Sequence, residues 1–196
     1  MRAMTSQQAS IPTGRPFTVD DLEGMPDDGN RYEIIDGTLI VSPAPSWEHQ
    51  EMGFAAGIRL RAACPRELRV LIAPFAVQTA FDNEVQPDVL VARFTDLRSK
   101  NLPTPPVMVA EVLSRSTQLH DRNTKKAHYE RMGVPVYWLL DPTEPGSLTV
   151  FEHRAMEIGG GGYEQVAHVV GDEEYAARRP FPVTVVPARL LDGTRP

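Results

Sequence analysis

Two apolar runs of strand length, each broken by a single carboxylate, constrain this chain more than any other feature. The first leads from Gln86-Pro87-Asp88 into Val89-Leu90-Val91, and the second reads Val107-Met108-Val109-Ala110-Glu111-Val112-Leu113. Short continuous apolar runs are what strands buried on both faces need. A carboxylate inside such a run is costly to bury unless it is paired or binds a cation. Two on neighbouring strands, followed by Lys125 and Lys126 on a polar helix, predict a hard-cation site suited to phosphodiester chemistry.

The 196 residues are 41% hydrophobic and 23% charged, which fits one soluble domain with a real core. Residues 1–16 are polar and read as a disordered leader before a single domain over 17–196. No stretch is apolar enough for a membrane span or a secretory signal, so a cytoplasmic protein is expected. Cys64 is the only cysteine, which excludes an internal disulfide and a multi-cysteine zinc site. Its Ala-rich surroundings suit a small packed residue better than a nucleophile. The net charge of −6 argues against a wholly basic nucleic-acid binder. The stretch from Arg115 to Arg131 nevertheless carries five basic residues against Asp121 and Glu130, a patch able to meet phosphates beside the proposed ligands.

In chain order, Thr18 caps a short helix with Asp21 three residues on, a weak capping box. Arg31-Tyr32-Glu33-Ile34-Ile35 and Thr38-Leu39-Ile40-Val41 flank Asp36-Gly37, a strong type I′ hairpin signal. Glu33 falls on the strand face opposite Tyr32 and Ile34. Ser46 caps a helix over Trp47 to Ala63, apolar nearly all round and therefore expected between layers. His49 lies in its first turn. Val70 to Thr79 reads as one strand bent at Pro74, and Asp82-Asn83-Glu84 as a turn. Ser114 to Thr117 offers caps for a helix reaching Met132, closed by Gly133. Pro135 to Leu140 is a buried strand, Ser147 to Glu152 and Gly162 to Val169 a hairpin, and Pro182 to Val186 a last strand. The glycine run from Gly159 to Gly162 lacks the Gly-Lys-Ser/Thr ending of a phosphate loop. The alternation predicts an α/β or α+β fold around a mixed sheet.

Asp88 and Glu111 are hard oxygen ligands for Mg²⁺ or Mn²⁺, and the Val112 carbonyl can complete the protein's share of the shell. Lys125, a compact point charge, can orient water or stabilise the transition state, with Lys126 the alternative. Each residue has a plainer reading. Asp88 can cap a loop, and Asp121 can pair with Lys125 across one helical turn.

These residues also stand in an ordered set: Tyr32-Glu33-Ile34-Ile35-Asp36-Gly37, Ser42-Pro43, Glu48-His49-Gln50, Gln86-Pro87-Asp88, Glu111-Val112-Leu113-Ser114, and Asp121-x3-Lys125-x3-Tyr129-x3-Gly133 before Tyr137-Trp138 and Asp141-Pro142. The set resembles the PD-(D/E)XK restriction-endonuclease-like superfamily, and within it the Uma-two family of candidate endonucleases. Leu113 stands where the superfamily usually has a strand lysine. The family supplies that lysine from the next helix, matching Lys125. Ser114-Arg115-Ser116-Thr117 replaces the family's usual Ser-Pro-Ser-Thr, and Val136 a common glutamate. The resemblance implies a restriction-endonuclease-like central mixed β-sheet flanked by α-helices. It implies Mg²⁺-dependent cleavage of DNA, a homodimer, and Glu33 and His49 as site neighbours. The alternatives are a catalytically inactive scaffold on the same fold and an enzyme acting on a small phosphorylated molecule.

Overall fold

The computed structural model describes residues 14–114, 120–154 and 161–192, with only the backbone at 120–122. Most of the expected leader lies outside these residues. Near its end, Arg15 pairs with Asp21 at 2.7 Å and Pro16 lies against Gly37. Phe17 then donates its amide to the Gly37 carbonyl at 2.8 Å. Helix α1 (Val19–Leu22) follows, with Asp21 accepting the Thr18 amide at 2.8 Å.

Strands β1 (Arg31–Ile35) and β2 (Thr38–Ser42) form the expected hairpin. Asp36 and Gly37 have φ of 50° and 71°, the paired left-handed residues that a type I′ turn needs. Helix α2 (Trp47–Ala63) keeps its predicted bounds, and Ser46 Oγ accepts the His49 amide at 3.4 Å. It does not lie between layers, as the sequence suggested. His49, Met52, Gly53, Ala56, Gly57 and Leu60 make one buried face at helical spacing. Phe54 and Ile58, on the other side, are each 55% exposed.

The expected bent strand is two strands in different sheets. β3 (Leu68–Ile72) and β4 (Ala76–Ala80) separate at Pro74, which cannot donate to a ladder. Asn83 and Glu84, expected in a turn, open β5 (Asn83–Val85), which pairs with β4 and β1. β6 (Val89–Arg93) starts just after Asp88. The polar connection behind it contains a 3₁₀ turn (Phe94–Asp96) and β7 (Asn101–Leu102), which runs parallel to β4.

β8 (Met108–Val112) carries Glu111. Of the caps expected for the next helix, residues 115–117 lie outside the described residues. Where the chain resumes, a π-helical turn (His120–Lys125) leads into α3 (Lys126–Met132), and Gly133 closes it at φ 79°. β9 (Val136–Asp141), β10 (Ser147–Arg154) and β11 (Gly162–Val170) follow; of the glycine run, 159 and 160 lie outside the described residues. The last expected strand, β13 (Val183–Val185), pairs with β12 (Tyr175–Ala177), which the sequence reading did not anticipate.

The six-stranded sheet runs β11-β10-β9-β8-β6-β3, and it is mixed because only β8 and β9 are parallel. Its two faces can be read from strand parity. Val89, Val91, Met108, Ala110, Val112, Val136, Trp138 and Leu140 pack with the buried face of α2 and the β12–β13 ribbon. Leu90, Ala92, Val109, Leu113, Tyr137 and Leu139 pack instead with Tyr129 of α3 and apolar residues of a second sheet, ordered β2-β1-β5-β4-β7. The α+β class holds, but the second face is covered largely by strands where helices were expected. Among the described residues no helix is long and apolar enough to cross a membrane.

Candidate active site

β6 and β8 are antiparallel neighbours with Val89 opposite Ala110. One step outward along the same register sets Asp88 beside Glu111. The two acids are cross-linked through the backbone. Val112 donates its amide to Asp88 Oδ2 at 2.9 Å, and Asp88 donates its amide to Glu111 Oε2 at 3.4 Å. Val112 thus shows its amide, not its carbonyl, in the contact with Asp88.

Three further elements close on this pair. β1 brings Glu33, fully buried, whose Oε1 accepts the Gln86 amide at 2.7 Å. The chain entering α3 brings Lys125, whose Nζ lies 3.2 Å from Glu111 Oε1 and 2.9 Å from Glu33 Oε2. The second contact is a charge pairing without hydrogen-bond alignment. α2 brings His49, with Nε2 3.1 Å from Asp88 Oδ2 and a buried Nδ1 that has no partner among the described residues. All five side chains named from the sequence therefore meet in one cluster.

Two members were missed. Arg31 reaches Asp88 Oδ1 at 2.9 Å and the Gln86 carbonyl at 3.0 Å. It lies two residues before Glu33 and so on the same strand face, a signal the sequence did contain. Tyr129, fully buried, donates its hydroxyl to Glu111 Oε1 at 2.7 Å. It lies one helical turn beyond Lys125, again legible from spacing.

The electrostatics are those of a sealed cluster. Three buried carboxylates face the basic side chains of Arg31 and Lys125, with His49 as a further partner. Burial pushes the Asp88 carboxyl up, but the His49 hydrogen bond, followed by the His49, Arg31 and Lys125 charges, holds it well below the usual carboxylate range. Burial and the nearby Glu111 push the Tyr129 phenol far up, so it stays a donor.

The basic patch expected from Arg115 to Arg131 does not form from its described members. Lys125 is buried in the cluster, Lys126 Nζ sits 4.3 Å over the Phe151 ring, and Arg131 pairs with Asp36 at 2.6 Å. Lys126 lines a separate open cavity of about 340 Å³ with Leu139, Thr149, Phe151, Gln165 and His168. Arg115 and the Asp121 and Arg122 side chains lie outside the described residues. Cys64 is half-buried, and burial pushes its thiol up, which suits packing over nucleophilic work.

A mixed sheet with acids on two adjacent strands, and a lysine from the helix behind them, defines a nuclease-fold protein of the restriction-endonuclease-like class. Residues 19–188 match the Uma2 family, described as "Putative restriction endonuclease", and the chain belongs to that family. A crystal structure from Anabaena variabilis ATCC 29413, described as a "putative nuclease belonging to DUF820", shares the fold with a TM-score of 0.62. The likeness covers 83% of this chain and 89% of that one at 18% identity. No curated protein matches the sequence.

Proposed function

We propose that this protein is an Mg²⁺- or Mn²⁺-dependent endonuclease that hydrolyses phosphodiester bonds in DNA. The observation that carries the reading is the convergence of Glu33, Asp88, Glu111 and Lys125 from four separate elements into one buried cluster. A fold has little structural reason to bury three acids together, since replacing such groups by apolar residues is often stabilising.

The donors fit a hard dication, because Asp88 and Glu111 offer carboxylate oxygens from adjoining strands. With the Val112 carbonyl they would hold the ion. Among the described residues no group of three or more His, Cys, Asp and Glu side chains could hold a metal ion, and an Mg²⁺ held by two carboxylates would keep several waters. When bound, the ion polarises the scissile phosphate and lowers the pKa of an attacking water. Lys125 places positive charge where the phosphorane develops it, and Glu33 fixes the ammonium from behind. His49 and Arg31 hold the Asp88 carboxylate in position.

Titration of the purified protein with Mn²⁺, alongside nicking of supercoiled plasmid, tests this. Wild type should bind the ion and nick, and Asp88→Asn should lose both. Plasmid nicking that survives Asp88→Asn would overturn the assignment.

A second reading has one observation in its favour: both Asp88 oxygens already have protein partners, Arg31 on one and His49 and the Val112 amide on the other. A scaffold that uses the cluster as a structural ion-pair network would look the same. It would show no Asp88-dependent ion binding at millimolar Mn²⁺.

A further inference from the structure

A local excess of positive charge lies at the other end of β6, away from the carboxylates. Residues 59–69 and 93–100 contribute Arg59, Arg61, Arg66, Arg69, Arg93, Arg98 and Lys100 against only Glu67 and Asp96. That is a local +5 in a chain of net −6, leaving −11 on everything else. The two stretches meet in space. Leu68 pairs with Arg93, Phe94 donates its amide to the Glu67 carbonyl at 2.9 Å, and α2 ends immediately before β3.

All of these basic side chains except Arg69 belong to exposed residues. Arg69 is different. Its guanidinium lies 4.3 Å from the centroid of the Phe94 ring and donates to the Arg66 and Leu68 carbonyls, both at 2.7 Å. Phe94 is held by this contact yet is 57% exposed. Burying neither the ring nor the arginines serves the core. An exposed aromatic ring held by one arginine, with further exposed arginines on the same two stretches and Arg93 3.9 Å from Asp96, matches a base stack flanked by phosphates.

We propose that this end of the molecule is a docking surface for single-stranded nucleic acid, with Phe94 as the stacking platform and Arg66 and Arg93 among the phosphate contacts. This extends the endonuclease reading to how its substrate is held. Asp88, just before β6, and Arg93, its last residue, are five residues apart, roughly 16 Å at a strand's rise. An acidic protein partner would satisfy the arginines but would leave Phe94 without a role.

The test uses the full chain, fluorescein-labelled oligothymidylate and a salt series, with no metal present. Wild type should bind with an affinity that falls steeply with salt. Arg66→Gln/Arg93→Gln should lower the log–log salt slope by about 1.4, at roughly 0.7 per phosphate contact. Phe94→Ala should weaken binding by roughly tenfold, the loss of one base stack. Unchanged binding in both variants, or no binding by wild type, would overturn the proposal. Displacement of the oligonucleotide by polyglutamate of equal charge as readily as by unlabelled oligothymidylate would overturn it in favour of an acidic protein. Hydrolysis of bis-p-nitrophenyl phosphate with Mn²⁺ is read in parallel. It should be unchanged in the surface variants, because so small a diester needs no remote anchor. Its loss in wild type would count against the endonuclease reading while oligonucleotide binding still decided the surface.

Discussion

Lys125 sits within 3.2 Å of Glu111 and 2.9 Å of Glu33 with almost no exposure. Removing its charge leaves Glu33 and Glu111 buried, with neutral donors from Gln86, Asp88 and Tyr129 beside them. Lys125→Met should therefore lower unfolding stability by about 3–5 kcal/mol in a urea titration. Lys125→Arg should recover only part, because a planar guanidinium does not fit a site shaped around a point charge. A different residue contributes to the response to pH near neutrality. Burial, the largest influence, pushes the His128 imidazole below its usual value, and its Nε2 has no partner among the described residues. The unfolded chain then takes up the His128 proton more readily than the folded one. Its contribution is complete above the unfolded value of about 6.5 and is lost as pH falls toward the folded value, by up to about 1.4 kcal/mol per pH unit. Melting curves from pH 7.5 to 5 should show this slope, and His128→Gln should flatten it.

Helix α2 shows how one element divides its labour. Its buried face packs against the six-stranded sheet, and Gly57 allows close approach, since a Cβ there would lie 3.1 Å from Ile72 Cγ2. Leu60→Ala should cost about 2–5 kcal/mol as a core cavity. Phe54→Ala, on the exposed side, should stay within about 0.5 kcal/mol. Equal losses for the two in parallel denaturant titrations would contradict the one-faced packing. The β1–β2 turn is tighter. At Gly37 a side chain would meet both a φ of 71° and the Pro16 Cβ at 2.6 Å. Gly37→Ala should destabilise by more than the roughly 1–2 kcal/mol of a left-handed alanine alone, measured against Gly29→Ala, where φ is 81° but the space is open.

At the scale of the whole molecule, the cluster draws on β1, α2, the start of β6, β8 and the entry to α3, so anything that binds there couples those elements. If the cluster holds a dication, Mn²⁺ at one hundred times its dissociation constant should add about 2.7 kcal/mol of stability. For a chain of this size that is a rise in melting temperature of roughly 5–10 °C. The rise should vanish in Asp88→Asn and persist in Arg66→Gln/Arg93→Gln, which lies at the far end of β6. A dication-independent melting temperature in wild type would favour the scaffold reading.

The elements that local chemistry dictates were legible in the chain. Asp36-Gly37 specifies its turn by backbone sterics, Ser46 starts α2 by capping, and Gly133 ends α3 by adopting a positive φ. Asp88 and Glu111 stood out because carboxylates are improbable inside buried runs. Other features depended on partners distant in sequence. Pro74 marks a break, but only packing decides that β3 and β4 join different sheets. The phase of α2 toward the sheet was ambiguous because its apolar residues encircle it, and burial by β3, β6 and β8 selected one face. Lys125 and Lys126 are adjacent and chemically identical, so only the helix's orientation could send one to Glu111 and the other to Phe151. The basic end of β6 is assembled from two stretches that each look like ordinary solvated surface. Their charges add only because the Leu68–Arg93 pairing brings them together.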